Sequence, residues 1–364
     1  MIKKLLVVFV VSQSFFQSSV QAQPLEKLSP EERSALGYSV EDKTSFDLGY
    51  SVPSIEELTH WLSEQNGKLK LVKSYDYPEV EGFELHPQGM VKLGNDFILS
   101  SVDTRGKKKS NKDLEVGFLQ RFTINADNEI ELIKQQQING LKFDYEGQEM
   151  SDHHPGGLDV DRETGDLIAS VAQYKANSSS TFLIINSEDI SDYEVAVRVD
   201  DHIGTIVCAK QGGESCRVVF NWDSKQAYKL SSAELRQSGM LKISSNARDI
   251  ARPWAFQDCK YIGNDEEDSV YALCSATKPD YSIVLMKYTV GGDVVEVNSA
   301  IAPTVGGFLG IGAKSMAQNP MAFEKVKTDS GYKIRFYFIP HNHTDARLYI
   351  YDTDEVITNE LSPK

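Results

Sequence analysis

His154-Pro155-Gly156-Gly157-Leu158-Asp159-Val160 opens a set of short strands, and it is one of a series. His86-Pro87-Gln88-Gly89-Met90-Val91 precedes it, and His202-Ile203-Gly204-Thr205-Ile206-Val207 follows it. Two weaker copies come later: Gln257-Asp258-Cys259-Lys260-Tyr261-Ile262 and Gln318-Asn319-Pro320-Met321-Ala322-Phe323. The openings are 68, 48, 55 and about 61 residues apart, and each leads into a turn, a second strand, a polar loop and further strands. Such recurrence is the signature of propeller blades, each a four-stranded supersecondary unit. The expected fold is therefore all-β, a five-bladed β-propeller over 68–364. Six blades remain the alternative, because 289–315 is long and Gly-rich. An immunoglobulin-like double sandwich explains the repeated openings less well.

Outward from the openings, short alternating or β-branched runs fill the chain from Leu69 onward, for example Phe97 to Val102, Phe182 to Asn186 and Ser282 to Tyr288, separated by Gly, Asn and Asp turns. The last set has only three strands, Met321 to Val326, Ile334 to Ile339 and Leu348 to Tyr351. The early strand Leu69 to Tyr75 can supply the fourth, which closes the ring and removes open edges. Residues 23–67 differ in style and read as a helical N-terminal arm. Ser29 and Glu32 bracket one helix start; Ser54, with Glu56 and Glu57 after it, begins another whose stripe is Leu58, Trp61 and Leu62.

Residues 1–22 read as a signal peptide: Lys3 and Lys4, a short apolar run from Leu5 to Val11, then Val20-Gln21-Ala22, with cleavage after Ala22. The expectation is a periplasmic or secreted protein without a membrane-inserted segment, and a monomer. Disulfides are allowed there. The four cysteines permit three connectivities; the turn-like segments between them favour Cys208–Cys216 with Cys259–Cys274. Loss of Lys3 and Lys4 takes the net charge from −15 to −17, which excludes nucleic acid as a partner in bulk. No Gly-x-Ser-x-Gly elbow, Walker loop or Cys-x-x-Cys is present.

Propeller geometry turns the openings into a site. The start of each innermost strand shares a face with the loop between the second and third strands of its blade. The strand starts give His86, His154, His202, Gln257 and Asn319. The loops give Asp103 and Arg105, Tyr174 and Lys175, Trp222, Asp223 and Lys225, Thr277 and Lys278, and His341 and His343. Six of the seven histidines map to this face; His60 does not. Imidazoles meeting at a channel mouth suggest a divalent metal, zinc, manganese, iron or calcium, on His86, His154, His202 and His341. The competing reading makes each histidine a turn residue bonded to a neighbouring blade. Basic loops on an acidic body suit an anionic small molecule or glycan. In the sharpest form His154 is a general base or acid, Tyr174 its proton partner and Arg105 the carboxylate clamp, with Lys175, Trp222, Lys225, Gln257 and His343 holding substrate. The reaction would be that of a metal-assisted lyase, or of a hydrolase acting on an ester or lactone. The other reading is a non-catalytic ligand- or protein-binding propeller.

The segments His154-Pro-Gly-Gly-Leu-Asp-Val and Asp201-His-Ile-Gly-Thr resemble motifs of secreted β-propeller proteins in a bacterial and fungal family of unknown function, over residues 80 to 352. That resemblance implies a fold and a compartment but no activity. More distantly the set is similar to lactonase-type propellers, which carry calcium held by Glu, Asn and Asp.

Overall fold

The computed structural model describes residues 48–77, 83–105, 116–138, 141–145, 148–173, 178–252, 254–306, 314–340 and 346–353. Residues 1–22, expected as a signal peptide, and the helix expected after Ser29 lie outside them. Among the described residues five sheets have four or more strands, each a blade built outward from an inner strand, and two further sheets are two-stranded. Blade 1 runs Leu85–Leu93, Asp96–Asp103, Gly117–Ile124 and Ile130–Ile138. Blade 2 runs His154–Val160, Leu167–Ala172, Ser180–Ile185 and Tyr193–Val199. Blade 3 has Ile203–Gln211, Glu214–Asn221, Gln226–Ser231 and a short outer strand, Arg248–Asp249. Blade 4 has Phe256–Asn264, Val270–Ala276, Ser282–Tyr288 and Val294–Ile301.

Blade 5 begins with Met321–Thr328, Gly331–Phe338 and Arg347–Thr353, and its outermost strand is Leu69–Asp76 from the other end of the sequence. First and last strands therefore pair antiparallel, as their hydrophobic patterns predict, and the ring closes on backbone hydrogen bonds. The Gly-rich stretch after blade 4 adds a two-stranded ribbon, Thr304–Val305 with Lys314–Ser315, and among the described residues no sixth four-stranded sheet. One pairing was not foreseen. Met240–Leu241, from the blade 3 excursion, adds in parallel to the outer strand of blade 2.

Inner and second strands are largely buried on both faces because each blade is stacked between two others. The core therefore lies between blades. Phe97 stacks on Phe122 and meets Tyr337 edge-on at 4.9 Å, tying blade 1 to blade 5. Phe220 and Phe256 do the same for blades 3 and 4 at 5.1 Å. The helix α1 (Ile55–Glu64) carries the predicted capping box between Ser54 and Glu57, and buries Leu58, Trp61 and Leu62; Trp61 packs on Phe336 of blade 5. Just before it, Leu48 O accepts from Gly94 N–H, and Ser51 bridges to Lys325. These contacts tie the segment to the turn after the inner strand of blade 1 and to the second half of the inner strand of blade 5, away from the strand starts. No helix among the described residues is long and apolar enough to cross a membrane.

One expected disulfide forms and the other does not. Cys259 and Cys274 are direct cross-strand partners in blade 4 and are bonded. In blade 3 the register places Cys208 opposite Arg217, and Ala209 opposite Cys216. A one-residue offset turns the two side chains to opposite faces of the sheet. Cys208 packs in the core towards blade 2 and Cys216 in the core towards blade 4, and both are buried free thiols. The spacing of eight brings the strands together without aligning the sulfurs.

Candidate functional site

The ladder between inner and second strands is interrupted at the same height in four blades. The register shifts between Pro87 and Gly89 in blade 1, Pro155 and Leu158 in blade 2, Ile203 and Thr205 in blade 3, and Phe256 and Asp258 in blade 4. Each shift is a β-bulge, which leaves a residue outside the ladder and re-aims it. The bulged residues include Gln88, Gly156, Gly204 and Gln257, and all four line one pocket of about 350 Å³ at the strand starts. Two of the four are glutamines, and Gln257 Nε2 donates to Ala255 O at 3.3 Å; the two glycines leave bare backbone.

The histidines before the bulges line the same pocket: His86, His154 and His202. His154 and His202 are buried at the wall. Trp222, on the loop after the second strand of blade 3, stands between them. Its ring centre is 4.4 Å from that of His202, edge-on, and 6.3 Å from that of His154. Trp222 N–H donates to His202 O at 2.8 Å, which fixes the loop to the strand start. His202 Nδ1 lies 3.3 Å from Ser178 Oγ, and its amide donates to Asp201 Oδ1, whose other oxygen accepts from Tyr228 OH at 2.5 Å. The rest of the mouth comes from Asp223, Thr277, Lys278, Tyr281, Gln318 and Asn319.

Backbone strain gathers here. Six described non-glycine residues have positive φ. Asn66, Asn128 and Asp268 are of the types that tolerate it. The other three, Ser224, Ala255 and Tyr281, stand next to Asp223 or in the pocket wall. Ala255 is held by its carbonyl, which accepts from Thr277 N–H at 3.2 Å, and Ser224 by Phe256 N–H, which donates to its Oγ at 2.8 Å. Strain that persists because the surroundings over-determine it is common at ligand sites.

Beneath the pocket the inner strands are fastened by polar groups. Asp258 Oδ2 accepts from Met90 N–H of blade 1 at 3.0 Å and from Met321 N–H of blade 5 at 3.3 Å. Its Oδ1 meets Lys260 Nζ at 2.5 Å, and that ammonium also donates to Leu158 O of blade 2 at 2.8 Å. Burial pushes the Asp258 carboxyl up to about 6, against the pull of Lys260. Burial likewise pushes Asp152 up to about 6, although Thr181 donates to it at 2.5 Å and Arg198 stands at 3.7 Å. Second-strand serines reach across to the next blade: Ser100 Oγ donates to Gly156 O at 2.8 Å, Ser170 Oγ to Ile203 O at 3.0 Å and Ser275 Oγ to Asn319 O at 3.1 Å.

Of the residues expected at the site, His86, His154, His202, Trp222, Gln257 and Asn319 meet in the pocket, with Asp223, Thr277 and Lys278 at its rim. Lys225 is exposed and does not line it; its Nζ is bonded to Asp223 at 2.7 Å, which holds that carboxyl below the usual range. Arg105 does not line the pocket: Asp103 grips its guanidinium through Nε at 2.9 Å and Nη2 at 2.7 Å, and the Phe83 ring covers it. Among the described residues the lysine or arginine that lines the cavity is Lys278. Tyr174, Lys175, His341 and His343 lie outside the described residues. Gln88 and Tyr281 were missed as site residues; the place of Gln88 two residues after His86 was its one visible signal. Among the described residues no group of three or more His, Cys, Asp or Glu side chains is placed to hold a metal ion. His86, His154 and His202 thus share a cavity without converging on one point. Nor does this set of imidazoles and amides match the Glu, Asn and Asp set of lactonase-type propellers.

The model of a family of unknown function (DUF6454) matches residues 79–357. No curated protein sequence matches the chain. Among solved structures, the major allergen Mala s 1 of Malassezia sympodialis is 6% identical with a TM-score of 0.44, over 76% of this chain and 82% of that one. A hypothetical protein from Leishmania major is 10% identical with a TM-score of 0.45, over 82% and 94%. Trypanosoma rangeli sialidase, in complex with the inhibitor DANA, is 11% identical with a TM-score of 0.45, over 77% and 46%. Likenesses at this level carry nothing about ligand or reaction.

Proposed function

Because the chain belongs to that family of unknown function, its activity has to be read from its own site, and we propose that the pocket binds an anionic carbohydrate and breaks it by imidazole-driven β-elimination. One observation carries this reading: bulges in four blades direct amides and bare backbone into a single cavity already flanked by three imidazoles and an indole. A volume of about 350 Å³ suits a sugar-sized ligand. Trp222 offers an apolar face to a ring, Gln88 and Gln257 pair with hydroxyls, and Lys278 places a cation at the rim of a chain with net charge −15. The Cys259–Cys274 disulfide agrees with an oxidising compartment.

The chemistry follows from which groups can move a proton. Asp223 is the one carboxylate lining the pocket among the described residues, and its lysine partners keep it ionised. Paired-carboxylate glycoside hydrolysis is therefore not supported. His154 would take the proton from the carbon beside the sugar carboxylate. The C–H electrons form the new C=C bond as the adjacent C–O bond breaks, and the leaving oxygen takes a proton from a second imidazole, His202, or from water. Imidazole-assisted ester or lactone hydrolysis uses the same groups. The non-catalytic reading is favoured by one feature, the fixing of His202 by Ser178 and Trp222.

The test uses uronate oligosaccharides, following tryptophan fluorescence for binding and ultraviolet absorbance of the unsaturated product for turnover. Saturable quenching that disappears in Trp222→Ala is expected, with turnover falling roughly 10²–10⁴-fold in His154→Ala. Binding without turnover in the unmodified protein leaves the non-catalytic reading, and absence of both sinks the carbohydrate assignment. Elemental analysis of the same samples, before and after His154→Ala, tests whether a metal on the histidines takes part.

A further inference from the structure

The glycines of the repeated motif are not equivalent. A Cβ on Gly89 would fall 2.5 Å from Leu158 N and 2.7 Å from Gly157 Cα. On Gly156 it would fall 2.5 Å from Gly204 O, and on Gly157 2.5 Å from Thr205 Oγ1. At Gly89 and Gly156 the backbone of the neighbouring inner strand leaves no room for a Cβ; at Gly157 the Thr205 side chain would have to give way. Gly204 is different. A Cβ there would have Trp222 Cα at 3.5 Å as its nearest neighbour, an ordinary contact, and Gly204 is not among the positive-φ glycines. Packing and backbone conformation both permit a side chain at this position. Glycine within a strand also costs stability relative to alanine. The fold therefore gives no reason for glycine at 204.

The pocket does. Gly204 is the bulged residue of blade 3 and lines the cavity at the foot of Trp222. In blade 1 the matching position, two residues after the histidine, is Gln88, whose side chain lines the same cavity. A side chain at 204 would enter it too. Resting on the carbohydrate reading above, we propose that Gly204 is a specificity-determining residue: its bare bulge lets a ring of the bound sugar acid lie against the backbone of blade 3 beside Trp222, with the Gln88 and Gln257 carboxamides left for its polar edge.

The experiment compares unmodified protein, Gly204→Ala, Gly204→Val and Gly156→Ala, with a galacturonic acid trisaccharide as probe. Gly204→Ala is expected to keep its Tm within about 2 °C of the unmodified protein or raise it, and to weaken binding at least tenfold, as an added methyl in a fitted pocket does. Gly204→Val weakens it further. Gly156→Ala lowers Tm instead. If Gly204→Ala is stable and binds as tightly as the unmodified protein, the inference is overturned while the carbohydrate reading stands. If Gly204→Ala loses stability as Gly156→Ala does, glycine is required by the fold and the inference is again overturned. If the unmodified protein does not bind the probe, the carbohydrate reading fails and takes the inference with it.

Discussion

At the axis a single carboxylate, Asp258, meets amides from the two blades that flank the ring's seam. It takes Met90 N–H from blade 1 and Met321 N–H from blade 5, while Lys260, two residues on, holds blade 2 through Leu158 O. Breaking a buried pair by removing one partner costs about 3–5 kcal/mol, since it strands the other charge. Asp258→Ala is expected to lose stability in that range in urea unfolding, and adding Lys260→Met is expected to recover part of it. Two single variants whose losses simply add, with no recovery in the double, would show that the pair is not coupled. None of this was legible in the sequence. Gln257-Asp258-Cys259-Lys260 read only as a weak copy of a strand opening, because partners 168 residues apart leave no local pattern.

Strands and turns were more legible than their register. Alternation and punctuation placed the inner strands, and the three openings in which a His is followed within three residues by Gly pointed to one face, because close approach of inner strands at the axis demands glycine at Gly89 and Gly156. The bulges were hidden, since strands buried on both faces lack the strict alternation that one extra residue would break. The same one-residue uncertainty decided the cysteines. Cys259 faces Cys274 directly, whereas Cys208 faces Arg217. Alkylation followed by mass spectrometry is expected to find both Cys208 and Cys216 protected in the native protein and both labelled after unfolding without reductant, with Cys259 and Cys274 labelled only after reduction. A peptide carrying a Cys208–Cys216 bond would contradict the register.

For the whole molecule, blade count and ring closure were legible because each depends on long-wavelength features: five openings, three strands at one end and a spare at the other. The pH response was not, since it depends on which carboxyls the stacked blades bury. Asp152 and Asp258 both sit near 6 rather than 3.8, because burial disfavours the charged form. The folded chain thus holds two protons to higher pH than the unfolded chain does. Over the window between the two values, stability from each group falls as pH rises, by about 1.4 kcal/mol per pH unit, and levels off above about 6. Self-repulsion in a chain of net charge −15 acts in the same direction. The opposite sign belongs to Asp223 and Asp189, whose hydrogen bonds to Lys225 and Lys134 lower their pKa; their contribution is lost only below the ordinary carboxylate range. Maximum stability should therefore lie between about pH 4 and 6, so that urea midpoints are higher at pH 5 than at pH 8. Asp152→Asn should reduce that difference without abolishing it, because asparagine does not titrate while Asp258 still does. A midpoint that rises from pH 5 to pH 8 would mean that the two carboxyls are better paired than their burial implies, with Arg198 in the outer part of blade 2 and Lys260 at the axis outweighing desolvation.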